Sequence, residues 1–477
     1  AEGIPFTGRT GQRMNKRFLP LAGLERGENV SVGNVIKCRY ISGGNRTNDL
    51  PPGDTLAEAV RHCTGAHLRI PTSVKLCIAQ GQPAWEAMGG PGSIHAWRGY
   101  LSPGNGNMPG LPQDMGAPGL QTLGTVHIAH LRKEPWLTVP AYHDWQRAGE
   151  FLAGTWPKPF PPIHDLADWP WHKVERFFEE MTPETPVVID TEFHDSGLIW
   201  LIGLFYEKWG GVLQAHWLDS STEPWRKARF VELLRDAIGR VPVILQNALA
   251  DVRAMRTTWK FSWEDFKHID DTMQAHAVLY VEYDHDLGFL DSCYGKHHRV
   301  KHLFKTNPTL YNAGDCWTPA YAMAGLRAEL QRDPLSAKVY KDRLELLPII
   351  DESMTRGIRI NKEAVKNGIE KYEQRRSAAE AVGQAYCGYP INLSSNDQVA
   401  HWLYEIECLP VQRKRGKRGQ GGVEVSVDKD AVGKLRGSFL GFDPEEEPTE
   451  ERLRDRILLG GHPLLESRWV NQAARQN

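Results

Sequence analysis

The run PVVIDTEF (186–193) decides how the middle of this chain is read. Val187, Val188 and Ile189 are β-branched and apolar, which favours a strand, and the run closes on acids. Side chains two apart on a strand point to the same face, so Asp190 and Glu192 present their carboxylates together. LIWLIGLFY (198–206) reads as the hairpin partner of this strand. Further on, RKARFVELLRDAIG (226–239) carries apolar residues at helical spacing and VPVILQN (241–247) reads as another strand, so the region is predicted to be α/β. Paired carboxylates are what two-ion phosphodiester hydrolysis needs, because hard oxygen ligands must hold the ions roughly 4 Å apart. A lone Asp-x-Glu equally suits a solvated acidic turn.

Two later segments decide between these readings. LQNALADVRAM places Asp251 after a strand and at a helix start, with Asn247 four residues before it. LYNAGDCW sets Tyr311 and Asp315 four residues apart, on one face if the segment is helical. The order and spacing of these motifs, with HIDDTMQAHAVL (268–279) between the second and third, resemble the exonuclease domain of family A DNA polymerases. The resemblance covers residues 183–330 and is to the subgroup whose third motif is Tyr-x-x-x-Asp. It implies a ribonuclease-H-like fold in which Asp190, Glu192, Asp251 and Asp315 bind two Mg2+ or Mn2+ ions and Tyr311 orients the attacking water. The reaction implied is in-line hydrolysis of the last phosphodiester of a single strand, which releases nucleoside monophosphates from the 3′ end. Asp270 and Asp271 are assigned to a helix start, and HHRVKH (297–302) to a basic loop facing DNA or solvent rather than to a zinc tract.

The whole chain of 477 residues is long enough for about three domains at roughly 150 residues each. With 41% hydrophobic and 24% charged residues it has an ordinary globular composition. A net charge of -2 supplies no global attraction to nucleic acid, so DNA contact must come from local basic patches and ions. Seven scattered cysteines, no leading apolar segment and no apolar stretch of spanning length point to a soluble protein in a reducing cytoplasm, with no membrane partner. The Gly- and Pro-dense 101–120 reads as a surface loop, and residues 151–182 as a linker rich in proline.

From about 320 onward helical patterns dominate. LLPIIDESMTRGIRINKEAV (346–365) and YPINLSSNDQVAHWLYEIECLP (389–410) resemble the stretch that joins exonuclease to thumb in family A polymerases, so 331–477 is expected to be a helical, thumb-like region. The basic segment at 412–422 matches that family's thumb tip. Arg413, Lys414, Arg415, Lys417 and Arg418 either neutralise DNA phosphates or simply solubilise a loop. No segment resembles the palm or fingers. This chain alone is therefore not expected to synthesise DNA, and polymerisation is expected in a separate subunit or in the palm and fingers of a longer chain.

The first third, about 1–150, resembles family 4 uracil-DNA glycosylases. The residues that carry the likeness are IPFTGRTG (4–11), VSVGNVIKCRY (30–40), NRTND (45–49), EAVRHC (58–63) and WRGYL (97–101). The resemblance implies that Phe6 stacks on a flipped base and Asn34 bonds its Watson-Crick edge, with His143 of PAYHDW in place of the closing histidine. Cys38 and Cys63 match two of the four ligands of that family's iron-sulfur cluster; they read equally as buried thiols. The chain opens after the family's water-activating motif and first cysteine pair, so a uracil-sensing or DNA-holding role is expected rather than base excision. Single-stranded or primer-template DNA is the expected partner, in a bacterial or viral replication system.

Overall fold

The computed structural model describes residues 6–36, 41–42, 45–46, 53–67, 70–102, 120–218, 222–415 and 423–440. The chain separates into two compact units, residues 1–356 and 357–477.

The first unit opens with an α/β part. Strand β1 (Leu76–Gln80) pairs in parallel with β2 (Gln121–Thr125); α1 (Gly53–His67) precedes β1 and α2 (Thr138–Leu152) follows β2. One face of α2 buries Ala141, Trp145 and Ala148 against Met14, Phe18, Leu19, Val126 and Ile128, which is the core of this part.

Next comes a six-stranded mixed sheet. Its elements in chain order are β3 (Ile163–Asp165), α3 (Trp171–Glu179), β4 (Val187–Phe193), β5 (Ile199–Tyr206), β6 (Gly211–His216), α4 (Pro224–Ile238), β7 (Pro242–Leu245), α5 (Ala248–Trp259), β8 (His268–Asp271), α6 (Thr272–Leu279), α7 (Leu287–Tyr294), α8 (Pro308–Leu330) and α9 (Pro334–Arg356). Strands lie in the order β8-β7-β4-β5-β6-β3. β4, β5 and β6 form an antiparallel meander, and β7 and β8 add in parallel on the other side of β4. This is the ribonuclease-H-like strand order, with β3 added at the far edge. β4 is central because its Val187, Val188 and Ile189 are all buried, as a run packed on both faces requires.

Within 151–182, expected to be a linker, residues 163–179 belong instead to this body. β3 pairs in parallel with β6, and α3 buries Val174, Phe177 and Phe178 in the main core. The prolines beside β3 are tolerated because it is an edge strand, where a missing N–H leaves no ladder bond unmade. The break expected near 330 comes only after α9. Its Tyr340 hydroxyl donates to Asp270 (2.9 Å), and its buried Asp351 pairs with Arg253 of α5 (3.2 Å).

The α/β part and the sheet are joined by buried polar groups. Arg98 binds Asp144 (2.7 Å) and donates to Ser292 of α7 (2.6 Å), while Arg147 donates to the backbone carbonyls of Gly99 and Asp291 (2.6 Å each). Gly99 is at φ +76°, and a Cβ there would stand 2.7 Å from the Ser292 carbonyl, so the dipeptide Arg98–Gly99 is shaped for this contact.

The second unit is mainly helical, as expected. It has α10 (Lys362–Cys387), a small core of Ile391, Leu393, Val399, Leu403 and Val432, and a hairpin pairing Arg413–Arg415 with Val423–Val425. Among the described residues no helix is long and apolar enough to cross a membrane.

Candidate active site

Asp190 and Glu192 project from the same face of β4, and α8 crosses that face. α8 starts at Pro308 behind the N-cap Asn307, whose side chain accepts from the Leu310 amide (3.0 Å). The crossing is close because Gly203 of β5, paired with Asp190, has no side chain. A Cβ there would lie 2.2 Å from Asn312 Oδ1 and 2.6 Å from Cys316 Sγ. As a result Asp190, Glu192 and Asp315 have ligand oxygens all within 4.8 Å of one another. Among the described residues this is the single group of three or more His, Cys, Asp or Glu side chains so placed.

Asp251 lies in the first turn of α5, buried, and outside that triplet. Its Oδ1 accepts from the Thr191 amide (3.1 Å) and hydroxyl (2.6 Å). The turn before α5 is bent through Asn247 at φ +61°. Asp271 holds this turn, accepting from the amides of Asn247 (3.2 Å) and Ala248 (2.9 Å) while capping α6 through Met273 (2.8 Å) and Gln274 (3.2 Å). The helix-start assignment of Asp271 agrees with these bonds. Asp270 closes the β8 end, paired with Arg327.

Three supporting side chains escaped the sequence reading. Buried Asn312 donates to Asp190 Oδ2 (2.7 Å), and buried Gln214 of β6 donates to Asn312 Oδ1 (2.8 Å), so the Asp190 carboxylate is oriented through two amides. Lys301, expected on a loop facing DNA or solvent, reaches inward: its Nζ stands 2.6 Å from Asp315 Oδ2 and 3.2 Å from the Tyr311 hydroxyl. His297 of the same tract is buried, stacked on Trp317 and within 3.0 Å of Thr318 Oγ1. Asn312 lies between Tyr311 and the rest of its motif, so its sequence position was a usable signal; nothing in the sequence marks Gln214.

Crowding sets the electrostatics. Burial, then the charges of Asp315, Asp251 and Glu192, pushes Asp190 well above the usual carboxylate range. Glu192 rises to about 7 through burial and Asp315. Asp251 rises to about 7 through burial, opposed by the Thr191 bonds. Asp315 is raised by burial and held back by Lys301. The Tyr311 phenol is pushed up to about 12 by burial and by Asp315, so it stays protonated at neutral pH. A buried group of four acids facing one lysine is short of positive charge, and its donors are all hard oxygens. Both properties fit a hard divalent cation rather than a thiolate- or imidazole-preferring metal.

The residues singled out in the first third do not converge. Phe6, at φ +58°, faces His127, two residues beyond β2, with ring centroids 5.7 Å apart. Asn34 is exposed. His143 lies within α2 and faces Tyr294 of α7 (5.3 Å), with its imidazole lowered to about 3 by burial and by Arg98. The histidine beside Phe6 is thus His127, two residues after β2, while His143 contributes to the contact with the sheet. Cys63 is buried in α1, and Cys38 lies outside the described residues. Of the basic set, Arg413 and Lys414 are exposed on the hairpin, where Lys414 pairs with Asp428 (3.2 Å). Arg415 ends that strand, and Lys417 and Arg418 lie outside the described residues.

No protein-family profile matches the chain, and no curated protein matches its sequence. Solved structures that the chain matches include the POL domain of Pol1 from M. smegmatis in complex with DNA primer-template and dNTP. It is 15% identical at a TM-score of 0.41, over 64% of this chain and 47% of that one. Others are a nuclease in its apo form (14%, TM-score 0.32, 41% of this chain and 93% of that one) and the catalytic core of RRP6 from Trypanosoma brucei (15%, TM-score 0.31, 48% and 64%). The match therefore spans about half of the polymerase chain.

Proposed function

We propose that the body around β4 is a metal-dependent 3′→5′ DNA exonuclease of the proofreading type found in family A polymerases. The observation that carries this reading is the convergence of Asp190, Glu192 and Asp315 within 4.8 Å, with Tyr311 one helical turn before Asp315. Asp190, Glu192, Asp251 and Asp315 are the residues that would hold two Mg2+ or Mn2+ ions; when bound, these supply Lewis-acid activation of water and charge stabilisation at the phosphate. The chain's own part is positioning. Asn312 aims Asp190, Thr191 aims Asp251, and the protonated Tyr311 phenol offers an O–H beside Asp315 to orient the attacking water. The polymerase served is proposed to be a separate subunit or the remainder of a longer chain. For the first third we propose a DNA-holding or base-sensing role, supported by the ring of Phe6 facing His127.

The deciding experiment is digestion of a 3′-ended single-stranded oligonucleotide carrying one internal uracil, with magnesium or with chelator, by wild type and Asp190→Ala. Stepwise shortening that needs magnesium and vanishes in the variant is expected, without an alkali-labile break at the uracil. Shortening that survives the substitution, or none at all, overturns the exonuclease reading; an alkali-labile break at the uracil assigns excision to the first third.

A further inference from the structure

Lys301 is fixed in place by its neighbours. Val300 is buried beside Gly314, where a Cβ would come 2.4 Å from Val300 Cγ2, and His297 is locked between Trp317 and Thr318. The segment 297–301 is thus tied to α8 on both sides of Asp315, and it delivers a largely buried ammonium to that carboxylate and to the Tyr311 hydroxyl. A largely buried lysine paired with Asp315, beside Asp190 and Glu192, is not a loop cation awaiting DNA. It stands where positive charge is scarce, on an oxygen of the same carboxylate that completes the triplet.

Resting on the exonuclease reading above, we propose that Lys301 is an internal counter-ion that competes with divalent metal for Asp315 and so sets the metal concentration at which the site becomes active. With four ionised carboxylates the site carries four negative charges, which two divalent ions neutralise; one added fixed cation disfavours the second ion by like-charge repulsion. Lys301 therefore stabilises the metal-free arrangement, keeping Asp315 and Tyr311 placed, while weakening the ions' hold. A purely structural lysine makes the opposite prediction, since its loss would disorder Asp315 and weaken metal binding.

The test is Mn2+ binding to the full chain without DNA, followed by electron paramagnetic resonance of free Mn2+, for wild type, Lys301→Arg, Lys301→Gln and Lys301→Met. Gln keeps a hydrogen-bond donor for Asp315 and removes the charge; Met is a second neutral variant should Gln fold poorly. Tightening of the weaker Mn2+ site by about tenfold in the neutral variants, with Arg close to wild type, is expected. The Mn2+ concentration for half-maximal digestion should fall in parallel. Unchanged or weaker Mn2+ binding in a folded neutral variant, beside a wild type that binds Mn2+ and digests DNA, overturns the counter-ion role and leaves the exonuclease standing. A wild type that neither binds Mn2+ nor digests DNA overturns both.

Discussion

Glu192 and Asp251 keep their protons up to about pH 7, and this makes the metal-free site a source of pH-dependent stability. A carboxyl whose folded pKa is raised favours folding when protonated. Its contribution is complete below the ordinary carboxylate range and is lost as pH rises through about 7. His143 and His276, lowered to about 3 and about 4, act in the other direction, losing their contribution as pH falls below the ordinary histidine range. Comparing Glu192→Gln with wild type cancels the histidines. In chelator, the variant should gain on wild type by on the order of 2 kcal/mol between pH 5.5 and pH 8. Urea denaturation at the two pH values measures this. A constant difference would mean that Glu192 is not crowded in the folded chain.

At the scale of elements, the site depends on how closely α8 approaches the sheet, and Gly203 sets that distance. Gly203→Ala places a methyl group against Asn312 and Cys316, so either α8 retreats or Asn312 turns away from Asp190. The expected cost is about 1–3 kcal/mol of stability, with digestion impaired more than stability alone explains, because Asn312 orients a ligand. A thermal melt beside the digestion assay reads both; loss of stability with full activity at low temperature would sink the link between α8 and Asp190. The strand β4 and the helical spacing of Tyr311 and Asp315 were legible because each rests on local periodicity. The partnership of Gly203 with Asn312 was not, since it joins residues that meet only when β5 and α8 pack.

Across the whole first unit, buried Arg98, held by Asp144 and donating to Ser292, and the Arg147 bond to the Asp291 carbonyl make the α/β part and the sheet one body. Tyr100 and Thr318 both bond Asp291, and Thr318 lies one turn beyond Asp315, so the same polar seam supports the helix that carries the third motif. Arg98→Met leaves Asp144 buried without its cation and should cost about 3–5 kcal/mol, whereas Arg98→Met with Asp144→Leu should recover much of that loss. Because the seam is shared, residues 1–356 should lose helix and tryptophan signals in one transition. Two separated transitions in wild type, or a harmless Arg98→Met, would show that the two parts fold independently.

By itself the sequence determined the α/β character of the centre, the strand that bears Asp190 and Glu192, the helix start at Asp251, and the helical character of the last third. These follow from periods of two and 3.6 residues and from capping chemistry, which act over a few neighbours. Only the tertiary structure decided that Lys301 enters the acid cluster, that Gln214 and Asn312 aim Asp190, and that Phe6 meets His127 while His143 serves the seam. It also drew 163–165 into the sheet and Val174, Phe177 and Phe178 into its core. Each of these joins residues far apart in the chain, and burial assigns them partners: a buried charge or amide must find its complement wherever packing places one, and no local pattern records where that is.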